Sequence, residues 1–161
     1  MALLRATGRK GWAGYGLPLL LLAVLVFPLA SVDAQDAGLL SPENAWQRVQ
    51  DDGLLVIDIR TQGEWEETGI PHQAALVSLY SDWGVPNIDF VTEVLEASGG
   101  DKERPIALIC AGGVRSSFAV DLLRDRGFMH VFDIGEGMLG SADGPGWIAR
   151  GLPVEPCGAC S

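Results

Sequence analysis

Two near-continuous apolar runs, Leu54 to Ile59 and Pro105 to Ile109, constrain what this chain can fold into more than any other feature. A strand with one wet face alternates polar and apolar residues; these runs do not, so both read as buried strands of a parallel sheet. Ala74 to Leu79 and His130 to Ile134 are further strand candidates. Between them lie helical stretches. Ser41-Pro42-Glu43-Asn44 starts the first, with Ser41 as N-cap and Pro42 at the first helical position, and it runs to about Asp51 before Gly53. Asp89 to Ala97 and Ser116 to Arg126 follow, the latter ended by Gly127. Alternating strands and helices predict an α/β fold: a parallel β-sheet covered by helices on both faces. Sites in such sheets lie outside the carboxyl ends of the strands, where the second run ends at Cys110.

Cys110 opens the turn Cys110-Ala111-Gly112-Gly113-Val114-Arg115, which leads into a helix. Gly112 and Gly113 carry no Cβ and tolerate positive φ, so the backbone can curl and aim several N–H groups at one centre. With the positive end of the following helix they form an anion site, and its first beneficiary is the thiolate of Cys110. The competing reading is an inert buried cysteine. Arg115 stands in the first turn, where a cation is electrostatically unfavourable, so a compensating anion is expected beside it. Cys110 is therefore the candidate nucleophile. The candidate substrate-binding set is Ala111, Gly112, Gly113, Val114 and Arg115, with Ser116 at the helix start in support.

Around this loop the chain resembles the rhodanese-like domain family of sulfurtransferases, over roughly Ser41 to Val154. The resemblance rests on Ile57-Asp58-Ile59-Arg60-Thr61 followed by Glu64-Trp65, on Gly69-Ile70-Pro71, on Pro86-Asn87-Ile88-Asp89-Phe90, on Cys110 to Ser116, and on Gly146-Trp147 with Gly151-Leu152-Pro153-Val154. It implies a persulfide mechanism: the cysteine takes a sulfane sulfur from a donor such as thiosulfate, holds it as Cys–S–S⁻ and passes it to a thiophilic acceptor. No cofactor and no metal are expected.

Loop length separates this reading from the related Cdc25-like phosphatases and arsenate reductases, which place five residues between cysteine and arginine. Here four, Ala111 to Val114, lie between Cys110 and Arg115, and Ser116 one place on carries no guanidinium. No Asp in the turn could protonate an alkoxide leaving group. Two departures from the family pattern stand out. His72 follows Pro71, where many members place a His before the Ile, and Ala111 replaces a frequent Arg or Lys, which predicts weaker thiosulfate binding. A non-catalytic binding or regulatory module built on the same pocket is the alternative from another class.

The first residues carry Arg5, Arg9 and Lys10, then 14 apolar residues from Leu17 to Ala30, then Ser31-Val32-Asp33-Ala34. This reads as a secretory signal peptide (1–34) cleaved after Ala34, because the apolar stretch is short of the ~20 residues that cross a bilayer. A linker (35–40), the domain (41–154) and a tail (155–161) follow. The expected location is periplasmic or secreted, with an uncleaved anchor as the alternative. The formal charge of −10 becomes about −12 without Arg5, Arg9, Lys10 and Asp33. That balance excludes nucleic-acid binding and attraction to anionic membrane surfaces. The partners expected are a small sulfur-donor anion or persulfide, a thiol acceptor and a periplasmic partner protein, with no membrane contact after cleavage.

Asp58 and Arg60 sit at a strand end and are supporting candidates. Asp58 either accepts hydrogen bonds from the active-site loop or forms an ordinary polar pair. Trp65 and Trp147 read as packing residues, and neither His72 nor His130 has the spacing of a base for the nucleophile. Gly135 to Gly146, with five glycines, reads as a long loop near the site. Cys157-Gly158-Ala159-Cys160 closes the chain. In an exported protein these two cysteines are expected to form a disulfide, leaving Cys110 unpaired. Three roles stay open for them: a passive bridge, a redox or sulfur-relay pair for Cys110, or a metal site, for which zinc would need two more ligands.

Overall fold

The computed structural model describes residues 38–158 and Cys160. The signal-peptide reading and the start of the linker lie outside them. Among the described residues no helix is long and apolar enough to cross a membrane.

The elements run α1 (Pro42–Asp51), β1 (Leu55–Asp58), α2 (Gln62–Thr68), β2 (Ile70–Pro71), β3 (Ala75–Leu76), α3 (Phe90–Ala97), β4 (Ile106–Ile109), α4 (Val114–Asp125), β5 (Val131–Asp133) and β6 (Val154–Glu155). Four strands form a parallel sheet in the order β3-β1-β4-β5, with Asp58 opposite Ile109 and Leu108 opposite Asp133. The strands therefore end side by side, at Asp58, Ile109 and Asp133, and the loops leaving them share one edge. Ser41 caps α1, its hydroxyl accepting the Asn44 N–H at 3.2 Å.

The apolar runs divide by strand period. Ile57, Ile106, Leu108 and Val131 pack with Phe90 and Val94 of α3 and with Ala119, Val120 and Leu123 of α4. Val56, Ala107, Ile109 and Phe132 face the other way, onto Ala45 of α1, Met138 and Trp147. Continuing that period past β4 turns Cys110 toward the α3/α4 face.

Three differences from the sequence expectation bear on the site. α4 begins at Val114, two residues before the expected start at Ser116, with Gly113 at φ of 83° as its N-cap, so Arg115 and Ser116 both belong to the first turn. α2 is an extra helix with a complete capping box, Thr61 and Glu64 satisfying each other's backbone N–H. β2 and β6 pair antiparallel in a small second sheet, so the start of the tail is built into the fold.

Candidate active site

Backbone geometry sets the direction of the donors around Cys110. The Cys110 carbonyl accepts the Met138 N–H at 2.8 Å and the Ala111 carbonyl accepts the Leu139 N–H at 2.9 Å. In a trans peptide the N–H points opposite to the carbonyl, so these bonds turn the Ala111 and Gly112 amides away from the 135–146 loop. The Gly113 carbonyl points into α4, accepting from Ser117 N and from the Ser116 hydroxyl, which turns the Val114 amide out of the helix N-terminus. Among the described residues, no amide from Ala111 to Ser116 donates to a protein acceptor. A run of backbone donors left without protein acceptors at the start of a helix is a cradle, the arrangement that receives an anion.

Glycine is required at two points of this clamp. A Cβ on Gly113 would overlap the Gly135 carbonyl oxygen, and one on Gly137, with φ of 68°, would overlap the Ala111 carbonyl. The glycine-rich loop is itself locked. Glu136, buried, accepts from Gly146 N at 3.0 Å and from Arg150 Nε and Nη2 at 2.7 Å each, and Arg150 also reaches Glu43. The Arg150 hydrogen bonds outweigh burial and hold the Glu136 carboxyl below its ordinary range.

The Cys110 side chain is 1% exposed and contributes to the α3/α4 core, with its Sγ 3.5 Å from the Ser116 hydroxyl. Arg115 lies within electrostatic reach of that sulfur. Arg115, read from the sequence as the partner of an anionic substrate or leaving group, is paired in the fold with Glu64: Nη1 donates to Oε2 at 2.7 Å and Nη2 to Oε1 at 2.6 Å. Those bonds favour the charged guanidinium, against the effect of burial, and the Cys110 sulfur adds to them. For Glu64 burial raises the pKa, but Arg115 and the Thr61 N–H more than offset it, and the net shift is down from 4.5.

Glu64→Gln separates this ion pair from the cap, since a glutamine keeps the capping box. A depressed carboxylate stabilises above its unfolded pKa and loses that contribution as pH falls through the folded value. The variant is expected to lose about 1 kcal/mol at pH 7, the partly exposed pair being screened by solvent. Urea unfolding of both proteins should show the gap constant above pH 5.5 and shrinking below 4.5.

Asp58 and Arg60 meet, but Asp58 does not reach the active-site loop. Both are fully buried and paired at 2.6 Å, and the other bonds of the guanidinium go to the Thr68 hydroxyl at 2.6 Å, the Gly69 carbonyl at 2.7 Å and the Glu64 carbonyl at 3.3 Å. The pair pins α2, and α2 presents Glu64 to Arg115. Its role at the site is thus two contacts removed. Trp65 and Trp147 are buried, as packing residues should be.

Sequence reading overlooked Glu64, although Thr61-Gln62-Gly63-Glu64 has the capping-box spacing. It also overlooked Asp133 at the end of β5. This carboxyl is 9% exposed, and its Oδ1 has no hydrogen-bond partner among the described residues. Burial raises its pKa above 3.8, the neighbouring Ser116 hydroxyl opposes the rise and the Asp143 charge adds to it. A raised folded value means stability is lost as pH climbs above 3.8. Asp133→Asn is expected to melt higher than wild type at pH 7, with the difference fading toward pH 4 in thermal scans.

The residues matched by the rhodanese-like domain model are 41–141, which includes the cradle. The chain belongs to the rhodanese-like family. Within it, the chain is similar to the thiosulfate sulfurtransferase GlpE of Actinobacillus pleuropneumoniae, 30% identical over 116 residues, or 72% of this chain and 91% of that one. The crystal structure of Rv0390 from M. tuberculosis superposes with a TM-score of 0.61 at 28% identity, covering 74% of this chain and 98% of its own. The polysulfide-sulfur transferase of Wolinella succinogenes superposes with a TM-score of 0.53 at 27% identity, covering 73% of this chain and 77% of its own. The α/β architecture read from the apolar runs is thus the rhodanese fold. The tail cysteines are disulfide-bonded and Cys110 is the free thiol.

Proposed function

We propose that this rhodanese-like protein is a sulfurtransferase that moves a sulfane sulfur from an anionic donor such as thiosulfate to a thiol acceptor through a persulfide on Cys110. The observation that carries the proposal is the run of amides from Ala111 to Ser116, which among the described residues donate to no protein acceptor, in the turn that joins Cys110 to the start of α4. A persulfide places one negative charge a single bond beyond the cysteine sulfur, where such amides can share it. The Cys110 thiolate attacks the outer sulfur of the donor, the donor's S–S bond breaks and sulfite leaves with the bonding pair. An acceptor thiolate then attacks the outer persulfide sulfur and Cys110 leaves as a thiolate. Attack by a thiolate needs no general base. Arg115 stands beside the sulfur to orient the donor. Glu64 sets how much of its charge the donor meets.

Export is part of the same proposal. Residues 1–34 have the pattern of a signal peptide. A disulfide in a small domain also fits an oxidising compartment.

The 1% exposure of Cys110 favours a second reading, a binding module whose cysteine never meets a substrate. Thiosulfate, a polysulfide and a low-molecular-weight persulfide, each with cyanide as acceptor, test the two against each other. Thiocyanate formation by wild type and none by Cys110→Ala supports transfer. No thiocyanate from any donor supports the module.

A further inference from the structure

The disulfide of the tail closes a loop so short that it removes little entropy from the unfolded chain, so stability is a poor account of it. Its position suggests another role. β6 anchors the root of the tail against β2, and the Glu155 carboxylate holds His72 Nδ1 at 2.6 Å. From there the chain turns onto α2, where the Cys160 carbonyl accepts the Gln62 side-chain amide at 2.8 Å. Two residues along the same helix Glu64 grips Arg115, and Arg115 lies against Cys110. The only three cysteines of the chain are thus linked through one helical turn. Cys157 and Cys160 are both partly exposed, whereas Cys110 is enclosed. Released from Gln62, the five residues from Pro156 to Cys160 can span roughly 17 Å at ~3.3–3.6 Å per residue, while β6 stays paired.

We propose that the reduced Cys157/Cys160 pair is an internal dithiol acceptor that discharges the Cys110 persulfide as sulfide, an activity that rests on the transfer reading above. One tail thiolate attacks the outer sulfur of Cys110–S–S⁻, the persulfide bond breaks and Cys110 leaves as a thiolate. The second tail thiol attacks the first at its cysteine sulfur, the Cys157–Cys160 bond forms and hydrosulfide leaves. The sulfane sulfur gains two electrons, both from the tail thiols; one thiol proton leaves on the hydrosulfide and the other, lost when the first thiol ionised, is in solvent. The disulfide in the structure is the product state of this cycle. An external dithiol, protein-borne or small, reopens it.

A single-turnover experiment tests the step. The protein is reduced with dithiothreitol, desalted without oxygen and given one equivalent of thiosulfate, with no thiol or cyanide added. Wild type should release sulfide in proportion to sulfite, lose two hydrogens at the tail and retain no added sulfur on Cys110. The double variant Cys157→Ser, Cys160→Ser should release sulfite, keep one extra sulfur atom on Cys110 and release no sulfide. Equal retention of that sulfur in both proteins, without sulfide, overturns the dithiol step and leaves the transfer reading standing. If neither protein yields sulfite or a sulfur adduct, the transfer reading falls, and the dithiol step falls with it.

Discussion

Cys110→Ser is expected to lower kcat/KM for thiocyanate formation by a factor on the order of 10⁴ or more, down to the rate in protein-free solution. Serine matches the shape of the side chain, but at neutral pH it is no nucleophile without a base to activate it, and neither histidine is placed to serve as one. The cradle itself should survive. Its shape is set by carbonyls tied to Met138, Leu139 and Ser117, none of which involves the sulfur. The variant should therefore melt within a few degrees of wild type, and Ser116 remains available as a hydrogen-bond partner for the new hydroxyl. Lost activity together with an unchanged fold assigns the chemistry to the sulfur. A variant that unfolds would instead show that the side chain is a core residue.

Asp58→Ala is expected to be the most damaging substitution for stability, costing about 3–5 kcal/mol, because it leaves the Arg60 charge buried without its counter-ion. A loss of this size is a large part of the stability of a small domain. The Thr68 hydroxyl and the Gly69 and Glu64 carbonyls would still solvate the guanidinium, but none carries a charge. Equilibrium denaturation in urea measures the loss. Asp58→Leu combined with Arg60→Met removes both charges and should recover much of it, since an apolar pair avoids the desolvation cost of two ions. The double variant should still lose transfer activity, since α2 would no longer be pinned where Glu64 meets Arg115. Full activity in the double variant would show that the pair serves only the core.

The parallel sheet was legible because its central strands are apolar on both faces, and period two alone then assigns Ile106 and Leu108 to one layer and Ala107 and Ile109 to the other. Cys110 was legible as the next residue of that run, placed before two glycines and a helix. α2 was harder to read. Its one buried residue is Trp65, so Gln62 to Thr68 carries no apolar period, and only the capping-box spacing marks it. With α2 unread, the partner of Arg115 was also unread, although the need for an anion there follows from the helix dipole. β2 and β6 are two residues each and exist only because distant segments meet. The 135–146 loop grips Cys110 and Ala111 through its own backbone amides. Backbone contacts of that kind leave no mark on residue type, beyond the glycines that close approach requires.

The account stands on the cradle amides stabilising an extra sulfur on Cys110, and intact mass spectrometry reads that species directly. To keep the tail from intervening, the Cys157→Ser, Cys160→Ser protein is incubated with thiosulfate, desalted, and weighed before and after cyanide. The account predicts a gain of one sulfur atom mapped to Cys110 and its complete removal by cyanide, with thiocyanate appearing in equal amount. An unchanged mass with each of thiosulfate, polysulfide and a small persulfide as donor, in a protein that remains folded, would contradict it.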